Sequence, residues 1–481
     1  PVMTESSDLL IYGSEFYHVA FGKKHQDIVI KPLQGEPETS IKNNIVNSIQ
    51  SIVNLLWSLV LIVTAVILVP IFVIEALLNF VYCVNPAPRN NKTGLMRILF
   101  HIKWRVSGII RKNLSFAYLK LSLARLGFDL FKAFKVKKNR IVFISNRREA
   151  ISGNYEYIYD KLIGNKKLDI RTVFDTTEGY LTCFKYGYYM ATAKVLLVDD
   201  YIELIYKIPR REDNYLIQVW HAGEGFKSVG YSRFGKDKSP YPVGSSHKAN
   251  TDVLVGSQKL IRVYEEVFGV EKKKILPVGM PRLDDFLDED KIKAFKEKFY
   301  GDYSYLKDKT IILFAPTFRG GGQRTAYYNY SKLDFKRIYD YCGNDKCFLI
   351  KMHPFVIEDV EIPKEYESRI FNFKDYPNIN DLYYITDILI TDYSSNYYEY
   401  ALMNKPMLFY TYDREIYELT RGVHRSVKEN APGKVCDTFD ELMHALENET
   451  YDFEKSVQFV KDQFGDYDGN AADRTIDLIL K

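Results

Sequence analysis

The sequence predicts an α/β protein with two Rossmann-type domains facing a cleft, preceded by a helical membrane-attachment region. Three observations predict this: two series of short β-branched runs separated by helical stretches, one long uncharged apolar run, and a dense basic block between that run and the first strand.

The first series comprises IVFIS (Ile141–Ser145), IRTVF (Ile170–Phe174), VLLVDD (Val195–Asp200), YLIQVW (Tyr215–Trp220) and DVLVGS (Asp252–Ser257). The second comprises TIILFAP (Thr310–Pro316), CFLIKMHP (Cys347–Pro354), DILITDYSS (Asp387–Ser395) and PMLFY (Pro406–Tyr410). Near-continuous apolar strands alternating with helices imply parallel sheets covered on both faces. A charged helical stretch near residues 285–309 joins the series, so domains are expected over 140–300 and 301–481, the second ending in a helical tail after Tyr451.

Ile45–Val84 holds a single charged residue, Glu75, and within it Ile52–Ile74 is uncharged for 23 residues. At about 1.5 Å per helical residue, such a run covers the ~30 Å hydrocarbon layer. It reads as one span, with a hairpin or in-plane element turning at Pro70, or a buried core helix, as the alternatives. From Arg89 to Arg140 there are 14 Lys or Arg against one acid, Asp129; this local +13 against a whole-chain +4 leaves the remainder at −9. Its apolar residues recur at helical intervals, which suggests amphipathic helices on anionic lipid over 45–139. Nucleic acid is the other polyanion such a block could meet, but the adjacent apolar run favours membrane and no nucleic-acid partner is expected. Positive charge after the run places the rest of the chain on the cytoplasmic side of the cell membrane. Five scattered cysteines without CxxC spacing fit reduced thiols there. Residues 1–44 receive no assigned role.

In doubly wound sheets, ligands bind beyond the carboxyl ends of the strands. His221 follows one such strand, with Gly223, Gly225 and Lys227 in the turn. Read alone, it is open between a general base for a hydroxyl and a structural histidine bonded to backbone. LFAPTFRGGG presents Thr317, Arg319 and Gly320 to Gly322 after another strand, and the Arg319 fork suits a phosphate. No Gly-Lys-Ser/Thr follows, so this is not a P-loop. His353 ends a further strand. ITDYSS places Asp392, Ser394 and Ser395 at the opening of a helix, an anion site or a plain N-cap or both. Glu399, one turn on, is positioned to hold a ribose hydroxyl pair. No metal motif stands where a metal would be needed. DDFLDED (Asp284–Asp290) reads as a solvated helix start, and Asp199–Asp200 lack partner ligands. The set points to transfer of a phosphoryl-linked group from a nucleotide donor, with charge stabilised by His, Arg and helix dipole and no metal or cofactor.

In this order and spacing, SGNYEYIYDKL (Ser152–Leu162), QVWHAGEGFKSVG, PVGMPRLD, ILFAPTFRG, IKMHP, ITDYSSNYYEYALMNKPMLFYTYD and APGK (Ala431–Lys434) resemble the CDP-glycerol glycerophosphotransferase family, whose members build teichoic acids. The resemblance covers most of the chain after residue 140 and implies a GT-B fold. It implies a CDP-polyol donor, a lipid-linked teichoic acid acceptor and release of CMP. It also implies His221 as base, with His353, Arg319, Ser394 and Ser395 around the donor diphosphate; Thr317, Asp392 and Glu399, from the strand-end reading, are expected at the same donor site. Lys227, Asn154 and Arg282 fall within the matched segments and are expected contacts of acceptor or phosphate. WHAGEGFKSVGYSR, where glycerol-phosphate enzymes read WHGTPLKxxG, looks more like the ribitol-phosphate polymerases of wall teichoic acid, so ribitol phosphate is favoured over glycerol phosphate. A GT-B glycosyltransferase using a nucleotide sugar, and a non-catalytic membrane protein binding anionic polymer, are the competing readings. Priming versus polymerising and homo-oligomer formation are left open.

Overall fold

The computed structural model describes residues 3–12, 15–22, 28–32, 77, 116–223, 227–233, 246–320, 325–465 and 467–481. The run Ile52–Ile74 and most of the basic block lie outside them; among the described residues, no helix is long and apolar enough to cross a membrane. The chain divides into two compact units, a smaller one of Gln34–Ile151 and Ile163–Ile217, and a larger one of Pro1–Leu33, Ser152–Leu162 and Gln218–Lys481.

In the smaller unit the expected apolar runs become strands β4 (Lys137–Ser145), β5 (Asp169–Phe174), β6 (Ala193–Val198) and β7 (Tyr215–Gln218), adjacent in the order β5-β4-β6-β7. β4 pairs in parallel with both β5 and β6, and it is buried from Arg140 to Ser145. This is the pattern of a strand covered on both faces. Helices α1 (Phe116–Phe131) and α3 (Tyr180–Thr192) supply part of that cover, with Ala124, Phe128, Tyr186 and Met190 buried in one apolar cluster with Val142, Ile144 and Leu196. Between them in sequence, α2 (Asn154–Ile163) runs almost wholly in the larger unit.

Helix α1 is the described helical part of the basic block, for which the sequence suggested a lipid-facing amphipathic helix. Its buried residues Ala124 and Phe128 pack with α3. A Cβ on Gly187 would lie 1.8 Å from the Ala124 carbonyl oxygen, and one on Gly127 would lie 2.3 Å from that of Phe184. The two backbones therefore touch, and the missing side chains let the flanking apolar residues close over the contact.

The larger unit holds an antiparallel sheet of β1 (Met3–Tyr12), β2 (Glu15–Gly22) and β3 (Ile28–Pro32), and a parallel pair, β8 (Asp252–Leu254) and β9 (Ile275–Leu276). Its main sheet contains β10 (Thr310–Phe314), β11 (Lys346–Ile350), β12 (Ile370–Asn372), β13 (Ile388–Thr391), β14 (Met407–Tyr410) and β15 (Lys434–Cys436). All the pairings are parallel, in the order β12-β11-β10-β13-β14-β15. Counting outward from β10, the strand order reverses between β10 and β13. That reversal is the topological switch point at which doubly wound sheets bind ligands.

The acidic run before α4 (Glu289–Asp302) is divided among three tasks. Asp288 caps α4 by accepting from the Lys291 amide at 2.9 Å, and Asp285 accepts from Lys291 and the Tyr157 hydroxyl. Asp284 accepts from the amides of Ala471 and Ala472, both at 2.9 Å, at the start of the last helix (Ala471–Leu480). The expected solvated helix start is thus also a clamp on the C-terminal tail. Burial nevertheless raises the Asp284 carboxyl above its ordinary range, against the lowering effect of those bonds.

The α1–α3 contact generates a test. Gly187→Ala should destabilise the protein by roughly 1–3 kcal/mol through overpacking. Gly301→Ala, in α4 with nothing within 4 Å of the new Cβ, should be neutral or gain up to about 1 kcal/mol of helix propensity. Urea unfolding of both variants checks the pair, and a Gly187→Ala protein as stable as the parent would contradict the close packing.

Candidate active site

The strands end earlier than the apolar runs: β10 stops at Phe314 and β13 at Thr391, so Ala315–Arg319 and Asp392–Ser395 become loops at the switch point. Asn396 ties the two ends together. Its Oδ1 accepts from the Thr391 hydroxyl at 2.7 Å, and its Nδ2 donates to the Ala315 carbonyl at 2.8 Å.

Arg319 occupies the centre. It is 4% exposed, and its Nε and Nη2 donate to the two oxygens of Asp413 at 2.6 and 2.9 Å. Its Nη1 donates to Asp392 at 2.6 Å and to the Thr317 carbonyl at 2.9 Å. The rings of Tyr328, Tyr393, Tyr412 and Tyr417 surround the guanidinium at 5.2–5.3 Å. Burial alone would lower its pKa, but the two carboxylates outweigh burial and hold it above the ordinary arginine value. The fork expected to meet a phosphate is given to Asp413. Asp392, fully buried, likewise accepts from the amides of Thr317 at 2.8 Å and Ser394 at 3.2 Å, so it organises the loops rather than facing a ligand.

Ser395 precedes α5 (Asn396–Tyr400), which has only five residues before a 3₁₀ turn over Ala401–Met403. So short a helix adds little dipole. The Ser394 and Ser395 side chains are partly exposed, and among the described residues their hydroxyls bond no protein group; Ser395 does not cap α5 through its side chain.

His221 is set by the backbone before it. Trp220, 7% exposed, adopts φ +55°, a left-handed conformation that costs a bulky residue energy and persists only when its surroundings impose it. Gln218 accepts from the Trp220 amide at 2.9 Å, and the Asn154 side chain donates to the Trp220 carbonyl at 3.0 Å. Arg282 donates to the His221 carbonyl at 2.8 Å and pairs with Glu399, which is 4% exposed. The Asn154 Oδ1 also accepts from the Arg282 amide at 3.2 Å. Beyond His221, a Cβ on Gly223 would stand 2.0 Å from the Tyr398 ring, so glycine is required for the turn to dock on α5. Asn154, Arg282 and Glu399, expected as ligand contacts, are brought together as a frame around His221.

His353 follows β11 and is half-buried against Phe318 and Phe355, at 4.8 and 4.7 Å between ring centroids. Its Nδ1 accepts from the Phe355 amide at 3.1 Å, which leaves Nε2 to carry the proton of the neutral ring. Lys227 donates to the Thr317 hydroxyl at 2.7 Å and lies 5.7 Å from the Phe318 ring centre. Arg421, which the sequence reading passed over, lies 5.0 Å from the same ring and donates to the Gly320 carbonyl at 3.2 Å. The glycines at 225, 321 and 322 lie outside the described residues.

Every side chain expected from the sequence to act in catalysis or binding falls in the larger unit. They divide into a frame (Arg319, Asp392, Asn154, Arg282, Glu399) and groups with partial exposure (His221, Lys227, His353, Ser394, Ser395). Thr317, fully buried, links the two through Lys227. Asp413, Trp220 and Arg421 were missed; a charged or aromatic residue beside a glycine or at a strand end was the available signal. If Arg319 is part of the frame, Arg319→Ala strands two carboxylates and should cost on the order of 3–5 kcal/mol in urea unfolding. An unchanged midpoint with lost ligand affinity would instead make it a phosphate ligand.

The model of the family described as CDP-Glycerol:Poly(glycerophosphate) glycerophosphotransferase matches residues 127–481. The chain is 38% identical over 367 residues, 75% of its length and 59% of the relative's, to the teichoic acid poly(ribitol-phosphate) polymerase of Bacillus spizizenii. It is 40% identical over 358 residues, 73% of its length and 64% of the relative's, to the teichoic acid ribitol-phosphate polymerase TarL of Staphylococcus aureus. The chain thus spans about three-fifths of the length of these two relatives. Its fold resembles that of the wall teichoic acid polymerase TagF, at a TM-score of 0.61 and 20% identity over 80% of this chain and 98% of that one. The family model covers most of the chain, and the chain belongs to the CDP-glycerol:poly(glycerophosphate) glycerophosphotransferase family.

Proposed function

We propose that the chain transfers a polyol phosphate, ribitol phosphate in preference to glycerol phosphate, from a CDP-polyol to the terminal hydroxyl of a lipid-linked teichoic acid acceptor. The observation that carries this reading is the strained Trp220–His221 turn, held by Asn154, Gln218 and Arg282 beside a parallel-sheet switch point in a chain of this family. The preference for ribitol rests on the two ribitol-phosphate polymerases that the chain resembles.

The acceptor hydroxyl is a poor nucleophile near neutral pH, so its proton must leave as its oxygen attacks the donor's β-phosphorus. An imidazole, with an ordinary pKa of about 6.5, suits that task. His221 takes the proton, the new O–P bond forms, and the bond from the β-phosphorus to the bridging oxygen breaks. CMP departs with that oxygen. His353, with Nδ1 taken by the Phe355 amide, donates from Nε2 to the departing phosphate, and the Ser394 and Ser395 hydroxyls hold the diphosphate. Arg319 and Asp392 position these groups without touching the donor.

The chain acts at the cytoplasmic face of the cell membrane. The uncharged run Ile52–Ile74 and the +13 block after it support insertion or spanning together with contact to anionic lipid.

Two predictions follow from this reading. In single-turnover assays with CDP-ribitol or CDP-glycerol and a lipid-linked acceptor, the parent should release CMP, fastest from CDP-ribitol. His221→Ala should lower the rate roughly 10²–10⁴-fold with donor affinity nearly intact, whereas His353→Ala should weaken donor binding as well. Near-normal turnover of His221→Ala, or UDP or GDP release from a nucleotide sugar, would refute the mechanism. For the membrane, high salt should leave the full chain on vesicles while detergent releases it, because salt weakens only the electrostatic part. Complete release by salt would rule out insertion.

A further inference from the structure

The polar contacts described above hold the backbone on either side of His221, whereas its side chain packs against rings. Consecutive side chains of an extended strand leave on opposite faces, so the rings of neighbouring residues do not stack. The left-handed turn at Trp220, φ +55°, breaks that alternation. The indole lies against the His221 imidazole, with ring centroids 4.5 Å apart and planes 37° from parallel. A glycine would take this φ freely, but tryptophan takes it at a cost. The chain thus accepts strain in a conformation that brings these two rings together.

The indole is itself fixed from behind. Phe268, fully buried, meets it edge-on at 5.0 Å and 75°. His247, from the 3₁₀ turn Ser246–Ala249, does so at 5.8 Å and 80°. Those two rings stack on each other at 4.0 Å and 13°. Phe268 ends the helix Leu260–Phe268, and one turn earlier the Tyr264 hydroxyl donates to the carbonyls of Ala222 and Gly223, at 3.0 and 2.7 Å. One helix therefore fixes both the ring before the imidazole and the backbone after it.

The stack runs from buried rings to a partly exposed imidazole. The second side-chain torsion of histidine has broad wells, so a fixed backbone does not by itself set where the ring nitrogens point. A general base must stand within hydrogen-bond reach of the proton it takes, and a misplacement of about 1 Å can cost about 10²-fold in rate. A flat indole face against the imidazole narrows that torsion, and it does so without using a ring nitrogen.

We propose that Trp220 is a positioning residue for His221, its indole serving as the stop that directs the imidazole toward the acceptor hydroxyl. The proposal rests on the reading of His221 as the base given above. Trp220 acts through His221 and takes no part in the proton transfer itself.

The test is a double-mutant cycle in the single-turnover assay, on the full chain in detergent, with CDP-ribitol and a lipid-linked acceptor. Trp220→Phe and Trp220→Leu both keep an apolar side chain at the left-handed position, but only phenylalanine offers a flat face. Trp220→Leu should slow transfer about 10- to 100-fold with donor affinity unchanged. Trp220→Phe should slow it less, about 2- to 10-fold. In the His221→Ala background no imidazole is left to orient, so either change should alter the residual rate less than about twofold. Urea midpoints confirm folding, and Trp220→Phe carries the same cycle if Trp220→Leu does not fold. An equal loss in the parent and His221→Ala backgrounds marks a structural role and overturns the proposal. So does parent-like turnover of either folded variant, or equal slowing by both. Near-normal turnover of His221→Ala overturns the reading of the base itself, whatever the Trp220 variants do.

Discussion

The guanidinium of Arg319 is the joint on which the site is assembled. It binds carboxylates from the loops after β13 and β14 and a carbonyl from its own loop after β10, so the carboxyl ends of three adjacent strands share one ion network. Burying a positive group this deeply costs several kcal/mol of lost hydration. Here two carboxylates and four tyrosine rings surround it and leave little of its donor capacity unsatisfied. With the network closed, Thr317 and Phe318 are presented in fixed positions, and the groups that meet a ligand can be set against them.

A second frame, around His221, leans on the same switch point. Helix α5 begins directly after Ser394 and Ser395, supplies Glu399 to Arg282, and offers the Tyr398 ring as the floor under Gly223. A short helix thus carries both the proposed phosphate-binding hydroxyls and the support of the proposed base. Strain at Trp220 is tolerated because three separate side chains hold its flanks. This coupling explains why residues that resemble ligand contacts in sequence are buried in structure: accurate placement of one imidazole requires a supporting shell of polar groups.

The strands were legible because a strand buried on both faces has to be apolar throughout, and nine such runs stand out between charged helices. The short edge strands β9, β12 and β15 were not, since two or three residues at a sheet edge carry no periodic signal. Helix α1 shows a different limit. An amphipathic helix has the same pattern whether its apolar face meets lipid or another helix, and the matching glycines at 127 and 187 mark where α1 meets α3.

By itself the sequence determined the α/β class, the identity of the strands that matter, and the polar residues at their ends, because those follow from local composition and from where each apolar run stops. It could not determine what each polar residue does. Arg319 and Asp413 are separated by 94 positions, Arg282 and Glu399 by 117, and Lys227 and Thr317 by 90. Whether a guanidinium faces a phosphate or a carboxylate depends on which side chains the sheet order brings within hydrogen-bond reach. That order, with its reversal between β10 and β13, exists only in the folded chain.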